Sequence, residues 1–365
     1  MMSDAEIARV PRLIPMALAA AKEACAMAGL PTGTSLPVED ARQIGLILGT
    51  GGGGIDFTLM QADIVHAQGG RASLWTITNA THGNLAGELS IQLGFRGPSL
   101  CVSTGCASSS DAAGMALELL RAKRVGSPTT WVVIGADAHV SWETLAGMEM
   151  LRVISTRPFD DPAQAATASR PFDASRDGFV LGEGAWAMVL ETPQRAQDRR
   201  VDAFGQLRGY AATCDAFHRV RPDPDMEESA RAMKLAIEDA GLEPEDIQYI
   251  QYHGTATQMN DALETMAVKR AFGTHAQNLI GGSIKSQIGH PQGACGMASI
   301  VGTISALAPR FGDPFSPPTI NLQTPDPACD LDYTPNQARS VKATRALVNC
   351  LAFGAKNSAL VLDMS

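Results

Sequence analysis

The chain has 365 residues, 45% hydrophobic and 18% charged, enough for a sizeable core in one large α/β domain or two ordinary ones. Its formal net charge of −9 argues against nonspecific binding to nucleic acid or to an acidic membrane surface. The seven cysteines are odd in number and scattered without zinc-like spacing, which reads as reduced thiols in a cytoplasmic protein with no metal.

Charges precede and interrupt the first apolar positions, so no signal peptide is expected, and no apolar run reaches bilayer length. Leu13 to Ala28 reads as an alanine-rich amphipathic helix stopped by Gly29. "QIGLILGTGGGG" (43–54) is a short apolar strand entering a glycine loop. No Lys-Ser/Thr follows that loop and no clean GxGxxG register is present, so it is a tight backbone turn rather than a phosphate cradle. "PSLCVST" (98–104) is a strand, and the segment after Cys106 has helical periodicity. "TTWVVIGAD" (129–137) and "GEGAWAMVLE" (182–191) are buried strands. The second half alternates similarly. "AFGQLRGYAATC" (203–214) looks extended, "ESARAMKLAIEDAG" (228–241) helical, "IQYIQYHG" (247–254) a strand and "ALETMAVKRAFG" (262–273) a helix. "LIGGSIKS" (279–286), the small-residue helix "GACGMASIVGTISALA" (293–308) and two strands, "RALVNCLAFG" and "SALVLDM", complete the chain. Such alternation indicates mostly parallel sheets with helices packed on them.

Cys106 follows Thr104-Gly105, which permits a sharp turn from strand to helix. A sulfur at a helix N-terminus faces unpaired N–H groups that favour the thiolate. Cys101 lies inside the strand without such a turn and reads as core. On local geometry alone Cys106 is either a nucleophile or a small buried thiol. His253 and His290 each follow an apolar strand and precede small residues, so both can act as bases or donate N–H to a developing oxyanion. Lys285, five residues before His290, can hold charge beside it or sit solvated at a turn.

The motifs "VSTGCASSSDAAG" (102–114), "RPFDASRDGFVLGEGA" (170–185), "HGTATQMND" (253–261), "SIKSQIGHPQGACG" (283–296) and "PPTINLQTPDPACDLDYTPNQAR" (317–339) occur in this order. Together they closely resemble the β-ketoacyl-acyl-carrier-protein synthases of the elongating Cys-His-His type. "VSTGC" and "DPACDLDY" lean toward the catalytic ketosynthase subunits of type II polyketide systems. The resemblance implies a thiolase-like α/β fold of two similar halves in a layered α-β-α-β-α arrangement. The first half, 1–192, would carry Cys106 and the second, 193–365, His253 and His290. It implies that Cys106 accepts an acyl group from carrier-protein pantetheine, and that His253 and His290 stabilise the enolate left when a malonyl group loses CO2. Lys285 would support the second histidine. The backbone N–H groups of Cys106 and Phe353 would form the oxyanion hole, with Phe353 also the gate. Thr255 and Thr257 would bind the pantetheine arm, while Asp261 and Glu264 brace the site. Arg121, Lys123 and Arg124, and more weakly Arg12, match a region that docks the acidic acyl carrier protein. No cofactor is expected, because phosphopantetheine arrives on the carrier. The expected assembly is a homodimer, or a heterodimer with a ketosynthase-like subunit of the chain-length-factor type, joined through the strand before Cys106.

Three departures from the family pattern stand out. An N-terminal strand of the "VVITG" kind normally precedes the Leu13 helix, and its absence implies a rebuilt sheet, a strand from a partner, or a true start other than Met1. Alanine replaces two glycines in Ala352-Phe353-Gly354-Ala355, which strains the loop if φ is positive there. Gly52 stands where a bulky residue usually floors the acyl pocket, implying a deeper cavity. The retained Cys106, His253 and His290 favour a condensing enzyme over a non-catalytic partner subunit, and over decarboxylases or acyltransferases on the same scaffold.

Overall fold

The longest uninterrupted apolar stretches form the centres of two sheets. A computed structural model describes residues 2–33, 36–158 and 160–365. Two compact units result: one runs to Ser141 and adds Glu183–Ala203 and Pro291–Ala298, the other comprises Trp142–Gly182, Phe204–His290 and Ser299–Ser365.

In the first unit, β1 (Ile44–Gly49), β2 (Ser99–Val102), β3 (Thr130–Asp137) and β4 (Gly184–Glu191) form a sheet in the order β2-β1-β3-β4. The pairs flanking β1 are parallel and β3–β4 is antiparallel. Every residue of β1 and β3 is buried, as expected of strands covered on both faces. The helix Leu13–Met27 packs on β3 and β4 through Leu13, Ile14, Ala17, Leu18, Ala21 and Cys25, a stripe at i, i+4 spacing. The helix Ser108–Arg121 lies so close beneath β1 that a Cβ on Gly49 would sit 2.5 Å from the Ser109 Cα. The run of serines and alanines after Cys106 permits that approach.

In the second unit, β5 (Gln206–Cys214), β6 (Tyr249–Gln251), β7 (Ile280–Gly282), β10 (Arg345–Ala352) and β11 (Lys356–Asp363) form a sheet in the order β5-β11-β10-β6-β7. A short ribbon joins β8 (Phe315–Ser316) to β9 (Arg339–Ser340). Here the expectation of a mostly parallel sheet is only half met. Pairs β10–β6 and β6–β7 are parallel, whereas β10–β11 and β11–β5 are antiparallel. The reason is local: only three residues separate β10 from β11, too few for a parallel crossover.

A division between residues 192 and 193 separates the strands of the two large sheets, but the compact units do not follow it. Pro291–Ala298 belongs with the first unit because Gly293 N–H donates to Asp137 and Met297 N–H to Ser109 Oγ. Trp142–Gly182 belongs with the second, tied there by bonds such as Ala174 N–H to the Thr324 carbonyl. No helix among the described residues is long and apolar enough to cross a membrane.

Candidate active site

Cys106 sits in a single 3-10 turn, Gly105–Ala107, between β2 and the helix Ser108–Arg121. Gly105 has φ of +67°, the reversal that the strand-to-helix turn demands. Ser108 fixes the turn: its Oγ accepts Thr104 N–H at 2.9 Å and donates to the Gly105 carbonyl at 2.6 Å. The thiol is 3% exposed, and its Sγ lies 3.8 Å from Gln292 Oε1. The Cys106 carbonyl accepts the Cys295 thiol at 3.2 Å. Cys101, in β2, differs: burial, with the Asp137 carboxylate adding to it, pushes its thiol up to about 11. No disulfide links any of the seven cysteines.

The glycine loop after β1 is built around one carboxylate. Asp137, at the C-terminal end of β3 and fully buried, accepts from Thr50 Oγ1 (2.7 Å), Gly51 N (2.9 Å), Gly52 N (3.0 Å) and Gly293 N (2.7 Å). It thereby fastens the loop to the turn that carries Gln292. A Cβ on Gly293 would lie 2.2 Å from Gly51 N, so only glycine fits. His139 stands beside this carboxylate, Nδ1 to Oδ1 3.4 Å. Burial alone would lower its imidazole, but Asp137, helped by Asp56 and Glu183, outweighs that and raises it. The same ring occupies the space over Gly52, where a Cβ would come within 2.5 Å of Nδ1. The imidazole of His139 thus takes the space that a side chain at position 52 would need.

The histidines come together in the second unit. His253 follows β6 and His290 follows the helix Lys285–Ile288. Both are at least 96% buried, and their rings meet edge to face with centroids 5.3 Å apart. The backbone holds them rigidly. His290 N–H donates to the Val180 carbonyl at 2.7 Å, its carbonyl accepts Gly182 N–H, and Phe179 packs edge-on against its ring. The amides of His253 and Gly254 donate to Glu264 at 2.7 and 2.8 Å, and Asn349 Nδ2 adds a third bond at 2.6 Å. Cys350 Sγ lies 3.6 Å from His253 Nδ1. Burial pushes the Glu264 carboxyl up to about 7, against these N–H bonds.

Asp261 supports the next turn, accepting Phe172 N–H (2.8 Å), Thr255 N–H (3.1 Å) and Ala256 N–H (3.2 Å); burial raises its carboxyl. Thr255 is buried and its Oγ1 lies 3.5 Å from Thr257 Oγ1. Arg176, 6% exposed, holds the carbonyls of Thr257 and Gln258 and pairs with Asp326. Lys285 is 2% exposed rather than solvated, and its carbonyl accepts Ser169 Oγ. Phe353 lies half-buried in the turn between β10 and β11.

Arg121, Lys123 and Arg124 are exposed at the far end of the Cys106 helix, ~20 Å along its axis from the thiol. Arg12 is ion-paired to Glu183. Sequence reading missed Asp137, Arg176, Gln292, Asn349 and Cys350. Arg176 stands inside a motif already singled out, and a carboxylate closing the buried strand β3 was the available signal for Asp137.

Similarity to known proteins extends across both units. The Beta-ketoacyl synthase N-terminal domain family matches residues 1–196 and its C-terminal domain family matches residues 204–323. The 3-oxoacyl-[acyl-carrier-protein] synthase 2 of Synechocystis sp. is 40% identical over 322 residues, covering 88% of this chain and 75% of that protein. A type II polyketide synthase ketosynthase, solved with its acyl-carrier protein and bound to the hexaketide, superimposes with a TM-score of 0.87 at 27% identity. That match covers 97% of this chain and 85% of the other. The ishigamide ketosynthase/chain length factor superimposes with a TM-score of 0.83 at 28% identity, over 98% of this chain and 83% of that one. Family profiles across both units and fold similarity over nearly the whole chain agree: the protein has the thiolase-like fold and belongs to the β-ketoacyl synthase family.

Proposed function

We propose that the protein is a β-ketoacyl synthase catalysing decarboxylative Claisen condensation on acyl-carrier-protein thioesters. In this reading the Cys106 thiolate attacks an acyl thioester, with the backbone N–H groups of Cys106 and Phe353 receiving the oxyanion. Collapse of the tetrahedral adduct expels the pantetheine sulfur, which takes the proton that left Cys106. A malonyl-carrier protein then enters, with Thr255 and Thr257 holding its pantetheine arm. Loss of CO2 leaves an enolate whose oxygen takes hydrogen bonds from the neutral imidazoles of His253 and His290, and Lys285 steadies the second of these. The enolate carbon attacks the acyl-Cys106 carbonyl, a C–C bond forms, and Cys106 leaves as thiolate. Donors fixed in advance around a developing oxyanion in a dry pocket supply much of such a rate.

The observation that carries this reading is the buried pair of imidazoles, 5.3 Å apart and clamped by backbone on both sides. Such an arrangement suits one shared oxyanion. Phosphopantetheine arrives on the carrier, so no resident cofactor takes part, and the reaction is cytoplasmic. Arg121, Lys123 and Arg124 are the docking residues for the acidic carrier, and the loop at Gly52 meets the acyl chain. The chain divides functionally at 192/193 into a nucleophile half and a histidine half. The relatives include a fatty-acid-type synthase and polyketide ketosynthases, one of them a ketosynthase/chain length factor. Either a homodimer or a heterodimer of that kind, joined at β2, is the working assembly. β2 lies at the edge of its sheet with Ser99 and Leu100 exposed.

The test separates acylation from condensation. His253→Ala and His290→Ala should each lower β-ketoacyl product formation about 10²–10³-fold, as loss of one oxyanion donor does, while Cys106 still takes up an acyl group. Condensation by either variant at the parental rate contradicts the proposal.

A further inference from the structure

A strained backbone and an unpaired polar atom coincide beside the nucleophile. Gln292 has φ of +46°, in the left-handed region that disfavours side chains other than those of glycine and a few short polar residues. One neighbour holds this conformation in place. The Gly293 amide that follows Gln292 is pulled onto the buried Asp137 carboxylate at 2.7 Å. Glycine would adopt this φ without strain, so a glutamine there calls for a reason in its side chain.

That side chain is 7% exposed, and its Oε1 lies 3.8 Å from Cys106 Sγ. Its Nε2 is buried with no hydrogen-bond partner. Buried amide N–H groups are nearly always paired, and an exception calls for an explanation, a catalytic role among them. Half a turn about the last side-chain torsion exchanges the carboxamide oxygen and nitrogen, so either can face the sulfur.

We propose that Gln292 is a catalytic residue of acyl transfer, its carboxamide donating an N–H to Cys106 Sγ as the thiolate forms. The inference rests on the reading of Cys106 as acyl acceptor. In the resting thiol the carboxamide oxygen accepts the S–H. When the proton leaves, the carboxamide turns and Nε2 makes a charge-assisted bond to the anionic sulfur, the kind of bond that gains most from burial. The amide itself takes no proton. The Sγ–acyl bond forms, the acyl–pantetheine C–S bond breaks, and the proton ends on the departing pantetheine sulfur. Asp137 acts one step behind as a positioning residue, because its bond to Gly293 holds the turn that aims Gln292.

The test compares wild type with Gln292→Leu and Gln292→Gly. Leucine keeps the bulk without the amide; glycine also removes the backbone strain, so it folds at least as well as the parent. The second-order rate of Cys106 alkylation by iodoacetamide is followed by peptide mass near neutral pH, alongside acyl uptake from acyl-carrier protein. Both variants should react about tenfold more slowly at Cys106, the effect of losing one bond to the anion, with the thermal midpoint of Gln292→Gly unchanged or raised. Alkylation of either variant within about twofold of wild type overturns the proposal. If wild-type Cys106 is alkylated yet takes no acyl group, the acyl-acceptor reading fails, and the alkylation comparison still decides whether Gln292 acts on the sulfur.

Discussion

Glu264 shows how one buried carboxylate serves the histidine-bearing turn. Its oxygens take the amides of His253 and Gly254 and the Asn349 carboxamide. Burial nonetheless raises its carboxyl from 4.5 to about 7. Between those values the folded protein holds a proton that the unfolded chain has released, so stability falls as pH rises through this window. Below about pH 4.5 the contribution is fully present, and above about 7 it is lost. A glutamine cannot titrate. The stability of wild type relative to Glu264→Gln should therefore fall by roughly 2–3 kcal/mol between about pH 5 and pH 8. Urea unfolding of both proteins at the two pH values measures it, and a constant difference contradicts the assignment. The position was legible as an acidic residue in a helix; its burial beneath the His253 turn was not.

Among the elements, the turn between β10 and β11 carries Phe353, the proposed oxyanion donor and gate. Of the two alanines that stand in place of glycines there, Ala352 is an ordinary strand residue, whereas Ala355 has φ of +63°. The strain expected of this loop is thus real at one position. Ala355→Gly should stabilise the fold by about 0.5–1 kcal/mol, the αL penalty less the added freedom of the unfolded chain. A shift in the urea midpoint at unchanged slope reports it, and no gain argues that the turn relaxes around alanine. Strands such as β1 and β3 were readable because burial on both faces leaves long apolar runs. The helices Ile55–His66 and Trp142–Met150 were not. The first buries only Phe57 and Gln61 and the second buries nothing, so neither carries an apolar stripe.

At the scale of the whole molecule, the candidate site residues stand in motifs legible in the sequence, and the groups that hold them do not. Cys106, His253, His290 and Lys285 occur in short motifs. Asp137 and Gly293 meet across 156 residues, and Gln292 meets Cys106 across 186, so no local pattern announces them. The central claim is that Cys106 is the acyl acceptor of a condensing enzyme. Intact-mass analysis of wild type and Cys106→Ala after exposure to acyl-carrier proteins of several chain lengths tests it most directly. The account predicts a single acyl adduct on wild type, absent from Cys106→Ala, whose size distribution gives the preferred chain. An adduct that persists in Cys106→Ala, or none on folded wild type in the presence or absence of a ketosynthase-like partner subunit, would contradict it.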